Sequence, residues 1–413
     1  MSINITTIFE EFEKNIHELE FYADIVQESY KKYLSEIEDH KKKHLDIEFY
    51  SSKRPVYFDI LNKHEKIISD LRVDKSLEQT SDDIFFHYNK QMQWFLVETY
   101  EMYEKFIDKL YIIMGYMNNN FWDASDFGEI QLNNISNKDE KWFSQQIKKK
   151  KEKPYSIIKI FRKRFNIEQY FDKQIPDTNY AFLMNLISKF RNAIVHDKGF
   201  LEKTVLKDKL FKQEGVNGKE IVKKYEKYIN VFYGKDEYDN LICLTSITSY
   251  IKDIKALPIN YNRKSILIQH ILSYAYLLTQ LSIQYLLSYK TKFCKVNYLE
   301  KQNAVLCEWQ QLCKGNDYRE HLEFGLELLL KTGATTWITD TTNGFENESE
   351  DTQWLIGEFL PKVLQTNCKK IVFIMEQDSP LKEEIDAQAV ALGEYFEVLQ
   401  VKSLEELEKV QDE

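Results

Sequence analysis

The spacing of the apolar residues changes at about Cys294, and this change limits what the chain can fold into. Before Cys294, long segments carry apolar residues three and four apart, which is typical of amphipathic helices. After it, short apolar runs alternate with helical segments, which indicates buried strands joined by helices. A chain of 413 residues also exceeds what one hydrophobic core usually holds. We therefore predict a multidomain, mainly α protein, with a helical bundle that follows a long N-terminal helix and precedes a small α/β domain.

The first segment repeats apolar residues at alternating spacings of four and three, from Ile5 to Ile37. This heptad pattern predicts one long helix within an N-terminal helical region, residues 1–80. It leaves two interpretations open, because a seam of this kind either packs inside the chain or joins two copies of it. His40 and His44 share a face near its end and could bind a metal ion, but the lysines beside them favour a solvated face.

Residues 81–290 are predicted to form the helical bundle. One helix should begin at Ser81 or Asp82 and run to about Tyr116, since either residue can cap a helix and apolar residues follow at helical spacing. A second helix is predicted from Tyr180 to Val195 by the same spacing.

The remaining segments of this half are less regular. Residues 48–80 should mix a short extended piece with one helix, and residues 205–262 resemble an insertion with a hairpin near 234–240. The uncharged stretch from Ser265 to Tyr289 is long enough to span a bilayer. Four polar residues recur along it at helical spacing, which favours a buried helix of a soluble protein; they are Gln269, Ser273, Gln280 and Gln284.

Residues 294–413 are predicted to form the α/β domain, with a partly parallel sheet. Two paired strands should come first, and three short buried strands should then alternate with helices near 350–366, 380–393 and 403–411. The predicted strands are Val296–Leu299, Ala304–Trp309, Thr335–Asp340, Lys370–Met375 and Glu397–Val401.

The five cysteines include no CxxC pair, so the sequence suggests neither a disulfide framework nor a thiolate zinc site. The first ten residues lack the basic-then-apolar order of a signal peptide. We therefore expect a cytoplasmic protein outside the membrane, with no metal and no cofactor.

The formal net charge of −10 conceals an asymmetry between the two parts of the chain. Residues 294–413 hold 11 Lys and Arg against 24 Asp and Glu, whereas residues 1–293 hold 45 against 42. The first part also contains a basic segment with interleaved aromatic residues, which predicts contact with RNA, although Phe161 and Phe165 fit a core better. A solvated charge run is the alternative. The candidate RNA-binding residues are Lys148, Lys149, Lys150, Lys151, Lys159, Arg162, Lys163 and Arg164.

The end of the second predicted helix reads Phe190-Arg191-Asn192-Ala193-Ile194-Val195-His196-Asp197-Lys198-Gly199. Arg191 offers a permanent charge and a fork of donors for a phosphate, and His196 can accept or donate a proton near neutral pH. Asn192 lies one turn before His196 and could orient it. These groups suit attack of a ribose 2′-hydroxyl on the adjacent phosphate. Gly199 is placed to end the helix.

An arginine, a polar residue and a histidine at this spacing, at the end of an apolar helix, resemble the Arg-x(4–6)-His motif of the HEPN superfamily. The resemblance covers about residues 81–290. It implies a helical bundle that dimerises so that two motifs meet in one cleft and cleave RNA without metal. Arg191 would then hold the scissile phosphate, His196 would transfer a proton, and Asn192 would support them. One HEPN subset has a modified tyrosine two residues after the histidine, where this chain has Lys198. An inactive bundle that keeps the motif for packing is the alternative.

The segment Trp337–Gly344, followed by a helix that opens at Asp351, resembles a STAS or SpoIIAA-like domain over residues 294–413. In that family a Ser or Thr after this strand can be phosphorylated to switch a partner. Thr341 and Thr342 occupy the corresponding turn here, although ordinary turn residues would look the same. The acidic surface suits a regulatory protein partner.

Together these features predict a metal-independent endoribonuclease, an effector of a stress or phage-defence response, that acts as a homodimer and is controlled by its acidic domain. The alternative is a non-catalytic interaction scaffold. Motifs for nucleotide hydrolysis, zinc proteolysis and α/β-hydrolase chemistry are absent from the sequence.

Overall fold

The structure is a computed structural model that describes residues 2–43, 49–51, 53–61, 63–128, 135, 138–150, 153–234, 238–245, 263–376 and 378–412. The chain divides into two compact units. We call residues 6–279 the N-terminal unit, and residues 280–413 with Met1–Ile5 the C-terminal unit. The chain is mainly helical with a sheet region near its C-terminus, so the coarse prediction of a multidomain, mainly α protein is confirmed.

The first helix, α1 (Ser2–Lys43), forms over the predicted heptad pattern. Within the N-terminal unit, its seam residues Phe12, Ile16 and Ala23 are buried, and the Phe12 ring stacks on Phe106 at 5.0 Å. The seam therefore packs inside the chain, which is one of the two interpretations that the spacing left open.

Four short strands follow α1: β1 (Phe49–Ser51), β2 (Val56–Asp59), β3 (Glu65–Ile68) and β4 (Asp74–Ser76). They form two antiparallel pairs, β1 with β4 and β2 with β3. The expectation of a single extended piece and a helix in residues 48–80 was therefore wrong for most of this segment. Alternating aromatic and β-branched residues such as Val56, Tyr57 and Phe58 favour strands.

The central helix of the N-terminal unit, α2 (Leu77–Met117), starts earlier than predicted. The Ser76 hydroxyl accepts the Gln79 N–H, and the Gln79 side chain accepts the Ser76 N–H. This capping box satisfies two of the backbone donors that a helix start leaves unpaired. Ser81 and Asp82 consequently lie inside the helix.

The rest of the N-terminal unit consists of shorter helices. α3 (Glu140–Lys149) and α4 (Tyr155–Phe165) carry the basic segment, and α5 (Tyr180–His196) carries the Arg-His motif. The predicted insertion contains α6 (Lys203–Glu214) and α7 (Lys219–Asn230). After α7, an antiparallel bridge joins Tyr233 to Ile242, at the position of the predicted hairpin. Residues 235–237 and 246–262 lie outside the described residues.

The helix α8 (Arg263–Leu286) corresponds to the uncharged stretch. Among the described residues it alone is long and apolar enough to cross a membrane, and 61% of its most apolar window is buried within the protein. A core helix of a soluble protein has the same properties. The polar residues Ser273, Gln280 and Gln284 are exposed.

The C-terminal unit contains a six-stranded sheet in the order β10-β9-β8-β7-β6-β5. β5 to β7 pair antiparallel and β7 to β10 pair parallel. The strands are β5 (Ser288–Lys290), β6 (Cys294–Leu299), β7 (Ala304–Trp309), β8 (Thr336–Asp340), β9 (Lys370–Ile374) and β10 (Glu397–Val401). The predicted strands lie within one or two residues of these bounds.

Helices connect the parallel strands. Their bounds are α9 (Asn316–Thr332), α10 (Ser349–Trp354), a π-helix (Leu355–Phe359), α11 (Leu360–Val363) and α12 (Lys382–Leu392), and α13 (Leu404–Asp412) follows β10. Because parallel connections are right-handed and each strand lies beside the previous one, the crossover helices share one face of the sheet.

Alternate strand residues therefore enter two different cores. Trp337 and Phe373 pack with residues of the crossover helices, whereas Ile338 and Val372 pack with Leu407 of α13. The larger core, and with it most of the buried aromatic surface, lies on the crossover side.

The N-terminal unit buries an uncharged histidine that should make its stability depend on pH. Burial lowers the pKa of His270 to about 4, and its Nε2 lies 2.8 Å from the Tyr228 hydroxyl. The unfolded chain binds this proton near pH 6.5, so it holds more protons than the folded chain between about pH 6.5 and 4. His270 should therefore lower the free energy of unfolding as the pH falls through that range, by about 2–3 kcal/mol.

Chemical denaturation of the wild type and of His270→Gln between pH 4 and 7.5 tests this. The difference between their free energies of unfolding should shift by that amount over the range. His87→Gln, at an exposed position on α2, should behave as the wild type. A constant difference between wild type and His270→Gln would contradict the assignment.

Candidate active site

Arg191, Asn192 and His196 lie in the last two turns of α5. Asn179 caps the start of the helix, because its side-chain oxygen accepts the Phe182 N–H at 3.3 Å. Its inner face packs into the core, where four apolar residues spaced four apart are buried: Phe182, Leu186, Phe190 and Ile194. The same periodicity leaves the motif's polar residues off the core face.

The helix ends immediately after His196. The N–H groups of Asp197 and Gly199 both donate to the Ala193 carbonyl, at 2.8 and 2.9 Å. Lys198 and Gly199 have φ values of 56° and 83°, and a positive φ is a conformation that glycine adopts without strain. Lys90 of α2 donates to the Lys198 carbonyl. The prediction that Gly199 marks the helix end is consistent with this geometry.

Two buried side-chain amides of α2, Asn89 and Gln93, hold this helix end in place, and we call them the amide clamp. Both donate to the Ile242 carbonyl, at 2.9 and 2.6 Å, and the Asn89 oxygen accepts the Leu244 N–H at 2.7 Å. The Ile242 N–H in turn donates to the Gly199 carbonyl at 2.9 Å. A Cβ at Gly199 would overlap the Gln93 amide. The clamp thus links α2, the 241–244 segment and the end of the motif.

Arg191 lies where α5 packs against α2, with its side chain 24% exposed. One guanidinium nitrogen lies 3.8 Å from the Glu101 carboxylate, and another donates to the Asn192 side-chain oxygen at 3.3 Å. Its Nε is buried and has no hydrogen-bond partner within the described ranges. Burial raises the pKa of Glu104, although Arg191 acts in the opposite direction. Because this Nε is closed to solvent, a ligand can reach only the exposed part of the Arg191 side chain.

His196 is exposed on the last turn, and its side chain makes no hydrogen bond or ion pair with the part of the chain that the structure describes. Asn192 donates nothing to it; the bond that Asn192 makes is with Arg191. The expectation that Asn192 orients His196 therefore differs from the observed arrangement. In an α-helix, residues five apart are about 140° apart around the axis and about 7.5 Å apart along it. Arg191 and His196 thus project from widely separated sides of one helix end.

Three of the predicted RNA-binding residues make structural contacts instead. Lys150 forms a nearly buried ion pair with Asp126, and Arg162 pairs with Glu168. Arg164 donates to two backbone carbonyls at 3.0 and 3.2 Å. Sequence alone could not distinguish these from solvated cations, because their partners lie outside the basic run.

The other predicted RNA-binding residues that the structure describes are exposed: Lys148, Lys149, Lys159 and Lys163. Lys151 lies outside the described residues. Phe161 and Phe165 are buried in the core, as their spacing indicated, whereas Tyr155 is 69% exposed beside the lysines of α4. This surface combines positive charge with one aromatic ring.

The two candidate phosphorylation residues of the C-terminal unit differ in access. The Thr341 hydroxyl donates to the Ile374 carbonyl at 2.9 Å and is partly buried. Thr342 is exposed, and its N–H donates to the Asp340 carboxylate at 2.9 Å in an ordinary turn. Of the two hydroxyls, that of Thr342 is the more accessible to another protein.

Within the described ranges, no group of three or more His, Cys, Asp or Glu side chains is placed to hold a metal ion. His44 lies outside these ranges, as does the side chain of His40. Burial raises the pKa of Cys313 and of Cys368 to about 11, so both thiols are protonated near neutral pH.

Comparisons of the chain with protein-family models, with curated proteins and with solved structures found no match. Its function must therefore be argued from the geometry of this site. The amide clamp was not predicted from the sequence, although two polar residues four apart among the apolar residues of α2 were a usable signal.

The hydrogen bonds of the amide clamp predict that leucine at Asn89 and leucine at Gln93 lower the free energy of unfolding by different amounts. Asn89→Leu removes the only partner shown for the buried Leu244 N–H and should lower the free energy of unfolding by about 1–3 kcal/mol. Gln93→Leu should cost less, because the Ile242 carbonyl keeps its bond to Asn89 and the Gln93 oxygen has no partner among the described residues. Urea denaturation of both variants measures the difference. An equal or greater loss for Gln93→Leu would show that the clamp's bonds are not what stabilises this region.

Proposed function

We propose that the chain is a metal-independent endoribonuclease in which Arg191 binds the scissile phosphate and His196 transfers a proton. The observation that carries this proposal is the arrangement at the end of α5. A partly buried guanidinium there contacts the Glu101 carboxylate only at 3.8 Å, and an exposed histidine follows within two turns of the same helix. The resemblance to the HEPN motif supports the same residues in these roles.

The proposed reaction is an internal transesterification. A histidine accepts the proton of a ribose 2′-hydroxyl, and the 2′-oxygen forms a bond to the adjacent phosphorus. The bond from phosphorus to the 5′-oxygen of the next nucleotide breaks, and that oxygen receives a proton. The guanidinium stabilises the additional negative charge on the phosphate oxygens. The products are a 2′,3′-cyclic phosphate and a 5′-hydroxyl, and no water is consumed.

A second copy of the chain would complete this site. The reaction needs both a proton acceptor and a proton donor, whereas each chain supplies one His196. Arg191 and His196 of one copy also project about 140° apart around α5, so we propose that a cleft between two copies brings Arg191 of one copy and His196 of the other to one phosphate. The pair β2 and β3 exposes apolar side chains that a partner copy would cover; these are Tyr57, Phe58, Ile60 and Leu61.

Charge supports an RNA substrate and a regulatory role for the C-terminal unit. The exposed lysines of α3 and α4 attract the phosphate backbone. Residues 294–413 hold 24 acidic against 11 basic residues, so they repel RNA and are available to a protein partner, for which Thr342 is an accessible control point. We propose a cytoplasmic effector in a stress or phage-defence response.

One observation favours the alternative, a non-catalytic scaffold. Arg191 lies 3.8 Å from Glu101, and an arginine between packed helices that faces a carboxylate can serve packing alone. Glu101→Gln distinguishes the two functions. RNA cleavage should persist or increase if Arg191 binds phosphate, because the carboxylate competes for the guanidinium.

Purified protein incubated with total RNA in EDTA should cleave it. His196→Ala should lower the rate by about 10²–10⁴-fold through loss of the proton-transfer group, and Arg191→Ala should do likewise through loss of charge stabilisation. Neither should lower the free energy of unfolding by more than about 1–2 kcal/mol, because neither residue belongs to the apolar core. His17→Ala, an exposed histidine of α1, is the matched control and should cleave normally.

Mass spectrometry of the cleaved ends should find 2′,3′-cyclic phosphates. A requirement for Mg²⁺, or inactivity of His196→Ala together with loss of its helical circular dichroism signal, would favour the scaffold.

The composite site predicts a homodimer. Light scattering at micromolar concentration should give twice the mass of one chain. Replacing Phe58 and Leu61 by serine should reduce that mass and the cleavage rate together, because both side chains are exposed in the single chain and contribute little to its core. Full activity from a strictly monomeric protein would rule the composite site out.

A further inference from the structure

The C-terminal unit has a cavity of about 540 Å³, open to solvent on one side, on the crossover side of its sheet. This volume lies within the range of about 300–1,000 Å³ that is typical of small-molecule sites. The sheet contributes the rings of Trp309, Trp337 and Phe373, and the π-helix contributes Leu355 and Phe359. The cavity walls are therefore mainly aromatic and aliphatic.

Two local features build these walls. Gly325 of α9 lies against the Trp337 indole, and a Cβ there would overlap the ring, so the glycine lets the indole approach the helix closely. The Trp337 indole N–H donates to the Thr339 hydroxyl at 3.0 Å, which satisfies its one polar atom. The π-helix is the other feature, and such turns frequently occur at functional sites. Trp337 therefore presents only apolar ring surface to the cavity, because its one N–H already has a hydrogen-bond partner.

Among the described residues, the charged ones that line the cavity are both acidic, Glu384 and Glu394, and none is a lysine, an arginine or a histidine. Glu384 lies in the first turn of α12, where it accepts the Gln388 amide at 3.1 Å and the backbone N–H of Asn347. Burial raises its pKa, and no cation acts on it to reverse this. The Glu384 carboxylate thus has no positively charged partner here, and a cationic ligand can provide one.

We propose that this cavity binds a small molecule with an apolar body and a protonated amine, the body lying among the aromatic rings and the ammonium pairing with Glu384. The apolar walls provide most of the buried contact, and the carboxylate selects the charge of the ligand. An anion would meet two carboxylates and no cation in the same space. This binding is independent of RNA cleavage, and it would make the C-terminal unit a sensor of such an amine.

Three probes with ten carbon atoms each and different head groups test the proposal: decylamine, 1-decanol and decanoate, each below its aggregation concentration. In calorimetric titrations at pH 7.5 with the full-length protein, decylamine should bind with one-to-one stoichiometry. Its affinity should exceed that of decanoate by tenfold or more, with decanol between them. Glu384→Gln should weaken decylamine roughly tenfold and leave decanol unchanged, because it removes only the charge-assisted hydrogen bond. Equal affinity for the amine and the carboxylate would overturn the proposed ligand class.

Two tryptophan substitutions on one helix locate the site. Ala391 lines the cavity from the last turn of α12, and Ala391→Trp should abolish binding of decylamine by filling the space. Ala387→Trp, one turn earlier at an exposed position that does not line the cavity, should bind normally. Unchanged binding by Ala391→Trp, in a protein with native circular dichroism, would place the alkyl chain elsewhere and overturn the proposal. His196→Ala should bind decylamine as the wild type does, so this test is independent of the test of RNA cleavage.

Discussion

The amide clamp of Asn89 and Gln93 is the constraint on which the candidate site depends. It is buried within α2, and it binds the backbone of residues 242 and 244, more than 140 positions away in sequence. Because the Ile242 N–H also bonds to Gly199, the clamp fixes the point where α5 ends and His196 is presented. Buried backbone groups without partners would cost about 1–3 kcal/mol each, so alternative positions of this helix end are disfavoured. A rigid helix end is what a site that positions a phosphate and a histidine requires.

The contacts of Arg191 bear on the choice between the two functions considered for the N-terminal unit, a ribonuclease and a non-catalytic scaffold. The guanidinium contacts Glu101 at a distance longer than a charge-assisted hydrogen bond, and its Nε has no partner among the described residues. A purely structural arginine would be expected to satisfy its donors more fully, as Arg162 does with Glu168 or Arg164 with two carbonyls. Arg263 of α8 also has a buried Nε without a partner among the described residues, so the support for a ligand at Arg191 comes from its partial exposure and from the motif that it shares with His196.

The C-terminal unit shows how strand order determines where a cavity can form. Sequential parallel strands with right-handed connections place α9, α10, α11 and α12 on one face, and the opposite core contains α13. The crowded face must accommodate several helices of different lengths over a twisted sheet. Large aromatic side chains and a π-helix fill this space incompletely, which leaves the cavity between them.

Most helices and strands, and the position of the Arg-His motif, could be predicted from the amino-acid sequence. Hydrophobic periodicity and helix-ending residues are local signals, which is why β10 and the end of α5 were predicted nearly to the residue. Tertiary structure alone decided the antiparallel pairs in residues 49–76 and the role of the amide clamp. It also decided the structural contacts of Lys150, Arg162 and Arg164, and the cavity of the C-terminal unit. Each of these depends on partners that the local pattern does not specify. The lysine run has the same sequence pattern whether Lys150 faces water or pairs with the buried Asp126. The energy that distinguishes the two cases arises only when distant segments of the chain come into contact.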